Sequence, residues 1–135
     1  MEIVQRAAEA MNRRDLPQLL ELFDRESVYH PRADEPDPSP HVGRDAYERL
    51  VGGFLESFSE ISFEILELID AGDDHVIGST VLRARGETSG ADVSDAYVFV
   101  YRLRGGLIVE GWEYRTKEEA LEALGLLEQD AHAES

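Results

Sequence analysis

Glu113 lies in the stretch Val109-Glu110-Gly111-Trp112-Glu113-Tyr114, near the end of a 135-residue chain. Residues 107–115 read as a β-strand, and side chains on a strand alternate between its two faces. Glu113 therefore shares a face with Gly111 and Val109, while Trp112 and Tyr114 share the other. The aromatic face suits packing or pairing, and Gly111 predicts open space beside Glu113 of the kind a ligand needs. A lone carboxyl group in an apolar wall is desolvated, so its pKa rises and it can exchange protons near neutral pH. The alternative is an ion pair across the sheet with Arg83, Arg85 or Arg102, which would reverse the sign of that shift. Most of Tyr97, Phe99, Tyr101, Trp112 and Tyr114 are expected in packing. Tyr97 and Tyr101, with Phe54, are expected at the ligand, where rings stack on a flat molecule. Arg85 is the expected charged ligand contact.

His30 precedes Pro31 and reads either as a hydrogen-bonded strand-end residue or as a second polar group of the site. His41, His75 and His132 fall in loops or the tail and have no expected role. His30 and His41 with Asp34 and Asp37 lack metal-ligand spacing, so a solvated acidic loop is expected there and no metal. The chain has no cysteine, which removes disulfides and thiolate metal sites and fits a cytoplasmic location. Gly105-Gly106 suits a hairpin turn, not a phosphate cradle, and no Ser or Thr sits in a nucleophile setting. No cofactor is expected.

Helices and strands must position these side chains. Ile3, Val4, Ala7, Ala8 and Met11 mark one face of a first helix. Asp15 with Gln18, and Pro17 in the first turn, open a second helix that should bury Leu16, Leu19, Leu20 and Phe23. Residues 27–30 read as a short strand. Residues 31–43 carry four of the five prolines together with Asp34, Glu35 and Asp37, so a surface loop is expected, bordering the pocket mouth and mobile. Asp45 and Glu48 read as a capping pair for a helix bearing Tyr47, Leu50, Val51, Phe54, Leu55 and Phe58. Strands follow at 61–69, 75–85, 94–104 and 107–115. Thr116 and Glu119 then form a capping box for a helix ending near Gly125.

With 42% apolar residues in periodic runs, one domain over residues 1–127 is expected, with a flexible tail at 128–135. The formal net charge of −16 supports solubility and opposes nucleic-acid binding. No apolar run approaches the roughly 20 residues of a membrane span, and the first residues do not read as a secretory signal. Apolar residues on both faces of the later strands predict a homodimer through the outer sheet face.

Four strings, AAEAMNRRDLPQLLELFDRESVYHP, VGRDAYERLVGGF, VFVYRLRGGLIVEGWEYR and TKEEALEALGL, resemble in order and spacing the SnoaL-like, polyketide cyclase-like group of the nuclear transport factor 2-like superfamily. The resemblance implies an α+β fold: a cone-shaped, strongly curved, mainly antiparallel sheet wrapped around N-terminal helices, with a small-molecule pocket. It implies either a cofactor-independent cyclase or isomerase working by proton transfer or a non-catalytic binding protein, since the superfamily holds both. In the steroid isomerase pattern the base falls on His30, a residue type whose pKa near 6.5 suits that role. The two oxyanion donors of that pattern fall on Ala7 and Phe99 and are lost. In the epoxide hydrolase pattern the last-strand carboxylate falls on Glu113. Its Arg-x-Asp pair falls on Val81 and Arg83, with the similar string Arg85-Gly86-Glu87 lying too late. The cyclase pattern asks for an acid/base carboxylate near the last strand, which Glu113 or Glu110 would supply.

Overall fold

The computed structural model describes residues 2–125, so the expected tail at 128–135 lies outside the described residues. Helices α1 (Glu2–Asn12) and α2 (Leu16–Leu20) lead into strand β1 (Phe23–His30). A two-residue strand β2 (His41–Val42) and helix α3 (Arg44–Ser57) follow. Strands β3 (Phe58–Gly72), β4 (His75–Gly86), β5 (Asp92–Arg104) and β6 (Leu107–Tyr114) then lead to α4 (Lys117–Ala123). The strands form one curved, unclosed sheet in the order β2-β1-β6-β5-β4-β3. All pairings are antiparallel except β1 with β6. The expected α+β fold with N-terminal helices is the one observed. No helix among the described residues is long and apolar enough to cross a membrane.

Local chemistry explains most boundaries. Asp15 accepts from the Gln18 N–H at 3.1 Å and caps α2 as expected. The helix is shorter than its leucine pattern suggested, because Phe23 already belongs to β1. There its buried ring stacks on Tyr47 at 4.2 Å, a contact made from the strand and not from a helix face. The expected Asp45–Glu48 cap of α3 does not form. Gly43 is the N-cap at φ 91°, a conformation that favours glycine, and Asp45 sits inside the first turn, where a carboxylate still favours the helix dipole. At the far end of α3, the Arg14 guanidinium donates to the carbonyls of Leu55 and Phe58. The Thr116–Glu119 capping box of α4 forms in both directions. Gly105 and Gly106 turn the β5–β6 hairpin at φ 60° and 81°, as expected.

Helix α1 packs on the concave face of the sheet. The residues that point there from β4 are Val76, Gly78, Thr80, Leu82 and Ala84, all buried. Gly78 admits the helix, since a Cβ there would stand 2.6 Å from a Val4 methyl. Asn12 closes the end of α1 on the free edge of β3 with a pair of hydrogen bonds to the Phe63 backbone, 2.7 and 3.0 Å long. Ile77, Val98 and Val100 point to the convex face and pack under α4 with Ala120. Part of the apolar outer surface expected to need a second copy is thus covered by the chain's own last helix.

Candidate active site

Between α1, α3 and the concave face of the sheet lies a cavity of about 320 Å³. Its wall is largely apolar: Val4, Ala7, Ala8 and Met11 from α1, Leu50, Val51 and Phe54 from α3, and Phe63 from β3. Alternation along β5 aims Tyr97, Phe99 and Tyr101 into it, and the same period on β6 aims Glu113. Pro31, Glu35, Pro36, Asp37 and His41 come from the loop after β1, which therefore borders the mouth.

Strand β1 lies parallel beside β6 with Tyr29 opposite Gly111. The Tyr29 hydroxyl donates to Oε2 of Glu113, and the Arg32 backbone N–H donates to Oε1 at 3.3 Å. Burial raises the Glu113 pKa to about 7, against those two hydrogen bonds, which favour the anion. The charge of Glu35 pushes it further up and that of Arg32 pulls it down, each by less. Burial and the neighbouring Glu113 charge in turn hold the hydroxyls of Tyr29 and Tyr101 well above the usual tyrosine range. The result is a carboxyl group close to half-protonated at neutral pH, oriented by a phenol and open to an apolar space.

None of the three arginines proposed as partners reaches Glu113. Arg83 bonds Glu64 at 2.8 Å, Arg85 bonds Asp92 at 3.1 Å, and Arg102 bonds Glu110 at 3.3 Å. All three leave the sheet on the face opposite Thr80 and Phe99, so the parity of the strands separates them from the cavity. Arg85 is exposed and stands outside the lining, contrary to its expected ligand contact. His30 is also outside. It follows Tyr29 by one residue and so faces the other way, stacking on Trp112 at 5.3 Å and meeting Glu110 at 2.7 Å. His30 and Glu110 are therefore remote from the interior where an acid/base group would act. Phe54, Tyr97 and Tyr101 do line the cavity. The open space expected at Gly111 is filled: a Cβ there would lie 2.8 Å from the Tyr29 ring, so the glycine makes room for the phenol that holds Glu113.

Ala7 and Phe99 line the cavity and offer no oxyanion donor at those places. Val81 and Arg83 face outward, so an Arg-x-Asp pair is not assembled beside Glu113. Among the described residues no group of three His, Asp or Glu side chains could hold a metal ion.

Arg32 was not singled out by spacing. Its side chain, 8% exposed, donates to Asp34 at 3.0 Å, to the Ala96 carbonyl at 2.7 Å and to Asp95 at 2.9 Å. Its guanidinium carbon sits 4.4 Å from the centre of the Tyr97 ring. These contacts tie the loop after β1 to the start of β5 and hold the Arg32 N–H against Glu113.

No curated protein matches the sequence. Several solved structures share the fold. An NTF2-like protein from Burkholderia pseudomallei superposes with a TM-score of 0.74 at 20% identity, covering 90% of this chain and 94% of that one. A protein with a ketosteroid isomerase-like fold from Catenulispora acidiphila, in complex with trimethylamine, gives 0.74 at 21%, covering 93% of each chain. A Mycobacterium tuberculosis protein in complex with estradiol-17beta-hemisuccinate gives 0.74 at 20%, covering 86% of this chain and 92% of that one. The SnoaL-like domain model matches residues 4–111, and with that match over most of its length the chain belongs to the SnoaL-like domain family.

Proposed function

We propose that the cavity binds a small, largely apolar molecule and that Glu113 moves a proton on it without a cofactor, as a cyclase or isomerase does. One arrangement carries this reading: a half-buried carboxyl group, its pKa pushed up to about 7 by desolvation, stands at the end of a ring-lined cavity, and no arginine or lysine side chain among the described residues pairs with it. A group with that pKa gives and takes protons with little penalty at neutral pH. As an acid, Glu113 passes its proton to a basic oxygen or carbon of the ligand. The Tyr29 hydroxyl and the Arg32 N–H then stabilise the carboxylate left behind. As a base, it takes a proton from a carbon next to a carbonyl by the reverse step. The complexes of the two relatives with trimethylamine and estradiol-17beta-hemisuccinate support the cavity as a ligand site.

A non-catalytic binding protein is the second reading, and the apolar Ala7 and Phe99 favour it, because the two places that hold oxyanion donors in the steroid isomerase pattern offer none here. Water activation of the epoxide hydrolase kind has less support, since Val81 and Arg83 face away from Glu113. We also propose pairing of two copies through the outer sheet face, where Trp112 and Tyr114 remain half-buried.

The discriminating experiment incubates the protein in D₂O with a panel of compact polycyclic ketones and follows deuterium uptake by mass spectrometry. The enzyme reading expects uptake that falls at least about a hundredfold in Glu113→Gln, the contribution of a general acid/base. Binding without uptake in any member of the panel favours the binding protein.

A further inference from the structure

Carboxyl groups outnumber basic groups on the cavity wall among the described residues. Glu35, Asp37 and Glu113 line it, and the sole basic side chain on the wall among the described residues is His41. Asp37 accepts from both the hydroxyl and the N–H of Ser39, which hold its pKa below the usual range, so it stays ionised. Glu35 accepts from the Tyr97 hydroxyl at 3.3 Å. No arginine or lysine pairs with Glu35 or Asp37 among the described residues. Arg32 also lies near the mouth, but most of its N–H groups are already engaged. Asp34, Asp95 and the Ala96 carbonyl take four of its five N–H groups, and with Arg115 3.8 Å from Asp34 the two arginines and two carboxylates balance. Deeper in, Tyr97, Phe99 and Tyr101 form a ladder of rings with successive centroids 6.0 Å apart. Rings of this kind attract cations through their negative faces, and an anion entering past two carboxylates is repelled.

We propose that the ligand is an amine: a compact apolar body fills the ring-lined interior, and a protonated nitrogen rests at the mouth against Glu35 and Asp37. This rests on the cavity being a ligand site and is independent of proton transfer by Glu113. A cavity of about 320 Å³ admits a body of two fused rings, which leaves the nitrogen at the acidic rim.

Three naphthalene probes test it by calorimetry at pH 8: 1-naphthylmethylamine, 1-naphthylmethanol and the carboxylate 1-naphthaleneacetate. The amine is expected to bind about tenfold tighter than the alcohol, which ion pairs with the two carboxylates supply, and the acetate about tenfold weaker. The double variant Glu35→Gln, Asp37→Asn is expected to bring the amine-to-alcohol ratio to about one. Equal affinities, a tighter acetate, or an amine preference that survives in the folded double variant would overturn the proposal. Failure of all three to bind would overturn it as well. Loss of deuterium exchange with the amine preference intact would instead sink the proton-transfer reading and leave this one standing.

Discussion

A carboxyl group among aromatic rings loses its hydration, and the neutral acid becomes the favoured form. At Glu113 this desolvation outweighs two hydrogen bonds that favour the anion and leaves the pKa at about 7. Removing one of them has a signed consequence. Tyr29→Phe is expected to raise the Glu113 pKa by about one to two further units, since a hydrogen bond to a charged group is worth roughly 1.5–3 kcal/mol. Carbon-13 NMR of labelled glutamate reads this directly, and an unchanged or lower value would contradict the Tyr29 contact. Stability carries a second signature. The unfolded carboxyl titrates near 4.3, so between that value and about 7 the folded protein binds more protons than the unfolded chain. Stability from this group is therefore full below the unfolded value and is lost as pH rises through the folded one. The loss is at most about 4 kcal/mol. Glu113→Gln is expected to gain on the wild type by about 2–3 kcal/mol between pH 4.5 and pH 8 in urea denaturation. A gap that does not change with pH would count against a buried acid.

The face of Glu113 was legible because period-two alternation needs only its own strand. Tyr29 was not, because its place opposite Gly111 depends on β1 lying parallel beside β6, a pairing of residues far apart in the chain. His30 and Arg85 show the cost of a single step along a strand, since one residue exchanges the cavity for the outer face.

Among the elements, the loop after β1 is exposed over most of its length, as its composition predicted, but is anchored at its start by Arg32. Four prolines and several acids read as a solvated segment, and nothing in that pattern marks Arg32 as buried. The Asp34 and Asp95 carboxylates that neutralise it are 61 residues apart in sequence. Arg32→Ala is expected to destabilise the fold by about 1–3 kcal/mol, less than for a fully buried pair because both carboxylates are partly exposed. Arg32→Lys is expected to recover only part, since an ammonium cannot replace a planar fork. Urea denaturation measures both, and an Arg32→Ala protein as stable as the wild type would contradict the latch. Helix ends were more legible than strand starts. The caps at Asp15 and Thr116 are local patterns, whereas Phe23 leaves the leucine pattern of α2 for β1, where its ring packs on Tyr47 of α3.

At the scale of the whole molecule, the curved sheet has two faces with different partners. Its concave face is shared by helices and cavity, and its convex face is covered in part by α4 over Ile77, Val98 and Val100. Alternation exposed the two apolar faces in the sequence but could not tell cover by the chain's own helix from cover by a second copy. Sedimentation at micromolar concentration is expected to give a species of roughly twice 15.1 kDa, and a monomer alone would leave α4 as sufficient cover. The cavity remains the feature on which function turns, and the protonation of Glu113 is its most direct report. A carbon-13 titration of the glutamate carboxyls should show one resonance with a pKa of about 7 that disappears in Glu113→Gln. A Glu113 resonance that titrates at or below about 4.3 would contradict the account.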